Sequence, residues 1–296
     1  MPTTSARFLM CRPDHFGVDY AINPWMDPQS WARESKSLVD ASQREWAALH
    51  RTLVGLGAVV ELVPPVPRLP DLVFTANAAV VLDRQVLLAR FRHPERRGEE
   101  AHFAAAFRTL QARGLVDRIA TLPDDLVLEG AGDCVFDRTR NLFWTGWGPR
   151  SDRAAADAVK DFFAVETVAL ELADPRFYHL DTALCPLSGG EVMYVPAAFT
   201  PEGIAAIRAH VAPADRIEVA IEDACRLAAN AVCVGDAIVM SGCGDRLRRR
   251  LAERGYRVNA TPLTAFLRSG GAAFCLTLQL DRRSAAGAAM SDAAVA

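Results

Sequence analysis

No stretch of the sequence approaches the ~20 consecutive apolar residues that a membrane-spanning helix needs. The opening residues, Met1 to Phe16, carry no basic segment followed by an apolar one of the kind that marks a secretory leader, so a cytoplasmic location is expected. An excess of positive charge is lacking as well. With 33 Lys and Arg against 36 Asp and Glu, the formal net charge is -3, and no nucleic-acid partner is expected. The seven cysteines are odd in number and scattered, and no CxxC pair occurs, which argues against a disulfide framework and against a zinc site. A glycine-rich phosphate loop following a strand is also missing, so a nucleotide-binding doubly wound sheet has no support. What remains is a chain of 296 residues, 51% hydrophobic and 23% charged, long enough to fill its own core without metal, cofactor or cross-link.

The positive signal is a repeated architecture with a period of about 50 residues, in which a hairpin leads into a helix and then a short strand. Four hairpins read clearly: Ala78–Leu82 with Val86–Ala89, Cys134–Phe136 with Asn141–Trp144, Ala183–Cys185 with Val192–Val195, and Ala231–Val234 with Ala237–Met240. Amphipathic stretches follow at Glu99 to Gln111, Ser151 to Phe163, Pro201 to His210 and Asp245 to Arg254, with Ser151 and Pro201 as helix starters. Short strands close the units at Arg118–Leu122, Glu166–Leu170, Arg216–Ala220 and Tyr256–Ala260. A fifth unit is split across the termini: Phe274–Leu278 pairs with Phe8–Met10, followed by a helix near Trp31 to Leu53 and a strand Ala58–Leu62. A chain whose end completes its first unit is a ring, which removes exposed sheet edges and creates a central site. The expectation is one α/β domain over residues 1–283 with pseudo-five-fold symmetry, and a disordered tail over 284–296.

In such a ring the segments entering each hairpin converge on the axis. Those segments carry Asn77, Glu129 with Asp133, His179 with Asp181, Asn230, and Cys275. Each has a plainer use: Cys275 as a core residue, His179 as a structural imidazole, Glu129 as a turn cap, the asparagines as turn residues. Their shared place in the repeat points instead to a catalytic cysteine, histidine and carboxylate that are distant in sequence.

Taken together, Asp71-Leu72-Val73-Phe74-Thr75-Ala76-Asn77, Glu129-Gly130-Ala131-Gly132-Asp133, His179-Leu180-Asp181 and the Gly-Gly-x-x-x-Cys of 270–275 resemble the guanidine-modifying superfamily. Its five-bladed pentein fold includes arginine deiminase, dimethylargininase and the amidinotransferases. Tyr20-Ala21-Ile22-Asn23-Pro24-Trp25-Met26 and Thr75-Ala76-Asn77-Ala78 look most like the arginine dihydrolases, which take arginine to ornithine, carbon dioxide and ammonia. The deiminases and dimethylargininases carry aspartate where this chain has Asn77. The resemblance implies Cys275, His179 and Glu129 as catalytic groups and Asn77, Asp181, Asn23, Asp133 and Asn230 as substrate contacts, with Arg90 and Arg150 gripping the substrate carboxylate. It implies a small arginine-like substrate and no cofactor, and leaves homo-oligomerisation open.

A guanidinium carbon is a poor electrophile because its charge is spread over three nitrogens. A thiolate is a nucleophile strong enough for it, and a bound cation or protonated His179 would lower the thiol's pKa. Citrulline formation, transfer to a second amine and a binding protein without chemistry are the alternatives to the dihydrolase reading.

Overall fold

The computed structural model describes residues 5–289. Five three-stranded sheets repeat one topology, in which an antiparallel hairpin is joined by a third strand parallel to its second. The four internal sheets are Ala79–Leu82, Gln85–Leu88 and Arg118–Thr121; Cys134–Asp137, Leu142–Trp147 and Glu166–Glu171; Leu184–Pro186, Val192–Tyr194 and Arg216–Glu218; and Val232–Val234, Ala237–Met240 and Arg257–Ala260. A parallel pair needs a long crossover. Helices Glu99–Ala112, Ala155–Phe163, Pro201–His210 and Asp245–Ala252 supply it. In the fifth sheet Leu278–Gln279 pairs antiparallel with Arg7–Cys11, which pairs in parallel with Val59–Val63 after helix Pro28–Gly55. The termini therefore close the ring, and the fold is a five-bladed α/β propeller.

Local chemistry explains the element ends. Asp27 caps the long helix by accepting from Ser30 N at 3.0 Å, with Pro28 at its first position, and Thr200 caps its helix on Gly203 N at 3.2 Å, again ahead of a proline. The first hairpin turns through Asp83 and Arg84, both left-handed at φ 51° and 62°. A two-residue turn of that hand matches strand twist, and the Arg84 guanidinium anchors it on Asp117 at 2.6 and 2.8 Å.

Three expectations are revised. The second helix begins at Ala155, because Ser151 spends its hydroxyl elsewhere, as described below. Of the expected strand 274–278 only Leu278 is paired, in a short strand Leu278–Gln279. Asn230 Oδ1 accepts from both Ala272 N and Cys275 N at 3.1 Å, so those N–H groups are withdrawn from any ladder and Cys275 sits in a turn. Finally, residues 285–289 form a helical turn. Ser284 fixes it, bonding Asp83 through its N–H at 2.9 Å and its hydroxyl at 2.5 Å, while Ala285 N bonds Asn141 Oδ1 at 2.7 Å. The remainder of the expected tail, 290–296, lies outside the described residues.

Candidate active site

Short turns lead into the hairpins, and they bring the polar residues together. Thr75–Ala78, Gly130–Gly132 and Leu180–Thr182 pack side by side as 3-10 turns, next to the turns holding Asn230 and Cys275. The glycines of Glu129-Gly130-Ala131-Gly132-Asp133 are required by this crowding. Gly130 has φ +64°, with a Cβ position 2.8 Å from Ala76 O, and a Cβ on Gly132 would stand 2.2 Å from Asn77 Nδ2 and 3.3 Å from His179 Nδ1.

Every side chain at the centre is buried: Cys275 is 2% exposed, His179 1%, Glu129 0%, Asp181 1% and Asn77 2%. Glu129 Oε2 meets His179 Nε2 at 2.8 Å and Arg150 Nη1 at 2.8 Å, and Oε1 accepts from Arg92 N at 3.1 Å. Burial pushes its pKa upward, but Arg150, His179 and Arg96 outweigh burial and hold Glu129 well below the usual carboxylate range. An ionised carboxylate only accepts, so His179 Nε2 carries the proton in that bond, and Nδ1 is the nitrogen left for proton exchange.

Asp133 braces this pair from behind. It accepts from Leu180 N at 2.9 Å and Ser151 Oγ at 2.6 Å, while Ser151 Oγ also receives Glu129 N at 3.0 Å. Burial raises Asp133 to about 6 despite His179 and Ser151.

Cys275 Sγ lies 3.1 Å from Asp181 Oδ2 and 3.0 Å from Asn230 Nδ2. Burial, followed by Asp181, pushes the thiol well above its ordinary pKa. The lowering expected from a bound cation acts against this burial and this carboxylate. Asp181 is itself raised to about 7, by burial against the bonds from Cys275 and Asn230. Its Oδ1 is buried and has no hydrogen-bond partner. Such an acceptor costs ~1–3 kcal/mol, so Asp181 offers a ready contact to a donor of positive charge.

Asn230 differs from the substrate contact expected. Its four bonds, to Ala272 N, Cys275 N, Cys275 Sγ and Asp181 O (3.1 Å), use all its donors and acceptors, and it aims the cysteine turn. Asn23 also serves backbone, donating to Ser269 O at 3.0 Å and accepting from Trp25 N at 2.9 Å. Arg150 is at the site, bound to Glu129 and to Ile22 O at 3.1 Å, its guanidinium 4.7 Å from the Tyr178 ring centre. Arg90 is not brought in with them. Its guanidinium is taken up by Leu122 O, Pro123 O, Leu126 O and Asp124.

The arginine that does reach the site, Arg96, was missed by sequence reasoning. It is 3% exposed, donates to Asn77 Oδ1 at 2.9 Å and forks onto Glu99 at 2.9 and 2.8 Å. Asp71 joins it, bonded by Tyr20 Oη at 2.8 Å and Ser269 Oγ at 3.3 Å and raised in pKa by burial. Asp71 opens the first motif that carries the resemblance, and Arg96 falls between the first hairpin and its helix, outside the segments of the repeat. An arginine three residues before a helix-starting glutamate is the signal that could have been used. Among the described residues, no group of three or more His, Cys, Asp or Glu side chains is arranged to hold a metal ion.

Fold and site together define a pentein of the guanidine-modifying class. A family model described as "N,N dimethylarginine dimethylhydrolase, eukaryotic" matches residues 12–282, and the chain belongs to that family. It is 45% identical over 93% of its length to the bifunctional arginine dihydrolase/ornithine cyclodeaminase ArgZ of Synechocystis, of which it covers 37%. It is 35% identical to the N(G),N(G)-dimethylarginine dimethylaminohydrolase of Mycobacterium tuberculosis, covering 93% of this chain and 85% of that one. The crystal structure of the N-terminal domain of ArgZ, as a cysteine-to-serine variant bound to substrate, superposes with a TM-score of 0.87 at 43% identity, over 94% of this chain and 99% of that domain. The chain thus spans little more than a third of the curated cyanobacterial relative and essentially all of its N-terminal domain. No helix of the described residues is long and apolar enough to cross a membrane.

Proposed function

We propose that the chain is an arginine dihydrolase, using Cys275 as nucleophile on the guanidinium carbon. The observation that carries this reading is the buried thiol beside the unpartnered Asp181 Oδ1, in a site where Asp71, Glu99, Glu129, Asp133 and Asp181 outnumber the buried Arg96 and Arg150. That surplus of carboxyl groups suits a cation. A guanidinium placed against Asp181 and Glu129 supplies the positive charge that the thiol lacks, so when substrate binds the thiol gives its proton to His179 Nδ1 and the thiolate forms. Sulfur attacks carbon, the tetrahedral adduct expels ammonia protonated by His179, and a thiouronium remains on Cys275. Water that loses its proton to His179 then cleaves the C–S bond, releasing citrulline. In the dihydrolase the same groups attack the ureido carbon again, ending in ornithine, carbon dioxide and a second ammonia. We place this reaction in the cytoplasm, in keeping with seven unpaired cysteines.

Support for two hydrolyses comes from Asn77, whose amide faces a neutral substrate better than a carboxylate does. Support for the second reading, dimethylargininase, comes from the mycobacterial relative. Incubation with arginine, followed by assay of ammonia, citrulline and ornithine, separates the two. Ornithine is expected. Turnover of N-methylated arginine alone would favour the second reading.

Asn77→Asp is expected to slow the second hydrolysis about 5- to 150-fold and shift product toward citrulline, the equivalent of ~1–3 kcal/mol for one unmade bond. The geometry sharpens the reason: Asn77 Nδ2 donates to Glu129 O at 2.9 Å, a bond no carboxylate can make. An unchanged product ratio would remove Asn77 from the specificity argument.

A pH dependence follows from Asp181. Burial raises its pKa from the ordinary aspartate value to about 7, so the carboxyl is protonated below about 7 and a bound cation favours its ionised form. Affinity for arginine should therefore rise with pH up to about 7 and then level off. Titration calorimetry on the Cys275→Ser variant, in buffers of different ionisation enthalpy, should show proton release near about pH 6 and little near about pH 8.5. Affinity without pH dependence would take Asp181 out of contact with the cation.

A further inference from the structure

An amide reads the same by shape in either orientation, yet it presents a donor one way and an acceptor the other. At Asn77 the surroundings permit one choice. Oδ1 faces Arg96 Nη1, which can only donate, and Nδ2 faces Glu129 O, which can only accept. Turning the amide over would break both bonds. Nδ2 then lies 2.2 Å from the position a Cβ on Gly132 would take, which is itself 3.3 Å from His179 Nδ1, the imidazole nitrogen left for proton exchange.

The lock depends on where Arg96 is held. Its Nε and Nη2 fork onto the two oxygens of Glu99, Nη2 also reaches Asp71 O at 3.2 Å, and its guanidinium carbon lies 4.4 Å from the Phe91 ring centre. Four of its five N–H groups are engaged, three of them in holding the guanidinium and one in addressing Asn77. Glu99 is the first residue of its helix and fully buried, and both its carboxylate oxygens accept from Arg96. We propose that Glu99 is a positioning residue which, through Arg96, holds the Asn77 amide with its nitrogen toward the reacting centre and so selects for the second hydrolysis. The inference rests on the dihydrolase reading. A guanidinium has only donors and gains nothing from a second donor opposite it, whereas the carbonyl oxygen of a citrulline-like intermediate needs one. The lock therefore favours the second substrate over the first.

The test compares wild type, Glu99→Gln, Asn77→Asp and the double variant, measuring ornithine and citrulline formed from arginine alongside thermal melting. Glu99→Gln should lower the ornithine-to-citrulline ratio about tenfold, the scale of one charge-assisted bond. A carboxylate has no orientation to lock, so the double variant should match Asn77→Asp alone. A purely structural Glu99 would change total activity and melting but leave the ratio where it was. If Glu99→Gln does not fold, Glu99→Asp keeps the charge and withdraws it by one methylene, and a smaller fall in ratio is expected. An unchanged ratio in a folded variant, or effects that multiply in the double variant, overturns the inference alone. Wild-type protein that releases no ornithine overturns the dihydrolase reading and this inference with it.

Discussion

Replacing Cys275 by serine should lower turnover of arginine by roughly a thousandfold or more while leaving arginine binding within reach of calorimetry. The fold has no reason to suffer, because serine is nearly isosteric and can make the same contacts with Asp181 and Asn230. Chemistry is what is lost. A hydroxyl ionises far less readily than a thiol, and the group beside it is Asp181, a carboxyl raised to about 7 by burial. A guanidinium docked on Asp181 can bring a thiol into its ionising range and cannot do so for an alcohol. The same geometry predicts that iodoacetamide labels Cys275 slowly without substrate, since the thiol is buried and its pKa pushed well up. Residual turnover above a tenth of wild type would remove Cys275 from the mechanism.

The repeat was legible in the sequence because its parts are local. Hairpins show as β-rich runs around Asp, Asn and Gly turns, helices as amphipathic stretches, and the helix Pro201–His210 has the bounds expected for it. The catalytic candidates were legible because equivalent positions of a ring must meet: His179 and Glu129 are 50 residues apart and their side chains 2.8 Å apart. What the sequence did not disclose was direction. Arg90 and Arg96 both follow the first hairpin, and nothing in their spacing tells which guanidinium turns toward Asn77 and which toward the carbonyls of residues 122–126. That choice is made by Glu99, which offers Arg96 a buried counter-charge.

The same limit applied to Asn230 and Ser151. As residue types they fit a substrate contact and a helix start. In the fold Asn230 is saturated by the cysteine turn, and Ser151 bridges Glu129 N and Asp133 Oδ2. Side-chain hydrogen bonds to distant backbone follow from packing, which periodicity does not encode.

His179→Ala should separate the two halves of the reaction. With arginine, whose leaving group is an amine, loss of the imidazole removes the acid for the first half and the base for the second, and turnover should fall about 10²- to 10⁴-fold. An arginine analogue that leaves as a thiol needs no protonation on departure. It should still load Cys275, and the thiouronium should then persist because no base activates water. Intact-protein mass spectrometry would read this as a stable covalent adduct on the variant and none on wild type at the same time point. Glu129 keeps two partners without His179, accepting from Arg150 at 2.8 Å and Arg92 N at 3.1 Å, so the site is not left with an unpaired charge. Added imidazole should restore hydrolysis of the adduct if the missing function is proton transfer. Full-rate turnover of arginine by the folded variant would mean that another group moves the proton; Glu129 is held ionised, well below the usual carboxylate range, and Asp133, raised to about 6 and 3.9 Å from His179 Nε2, is the alternative.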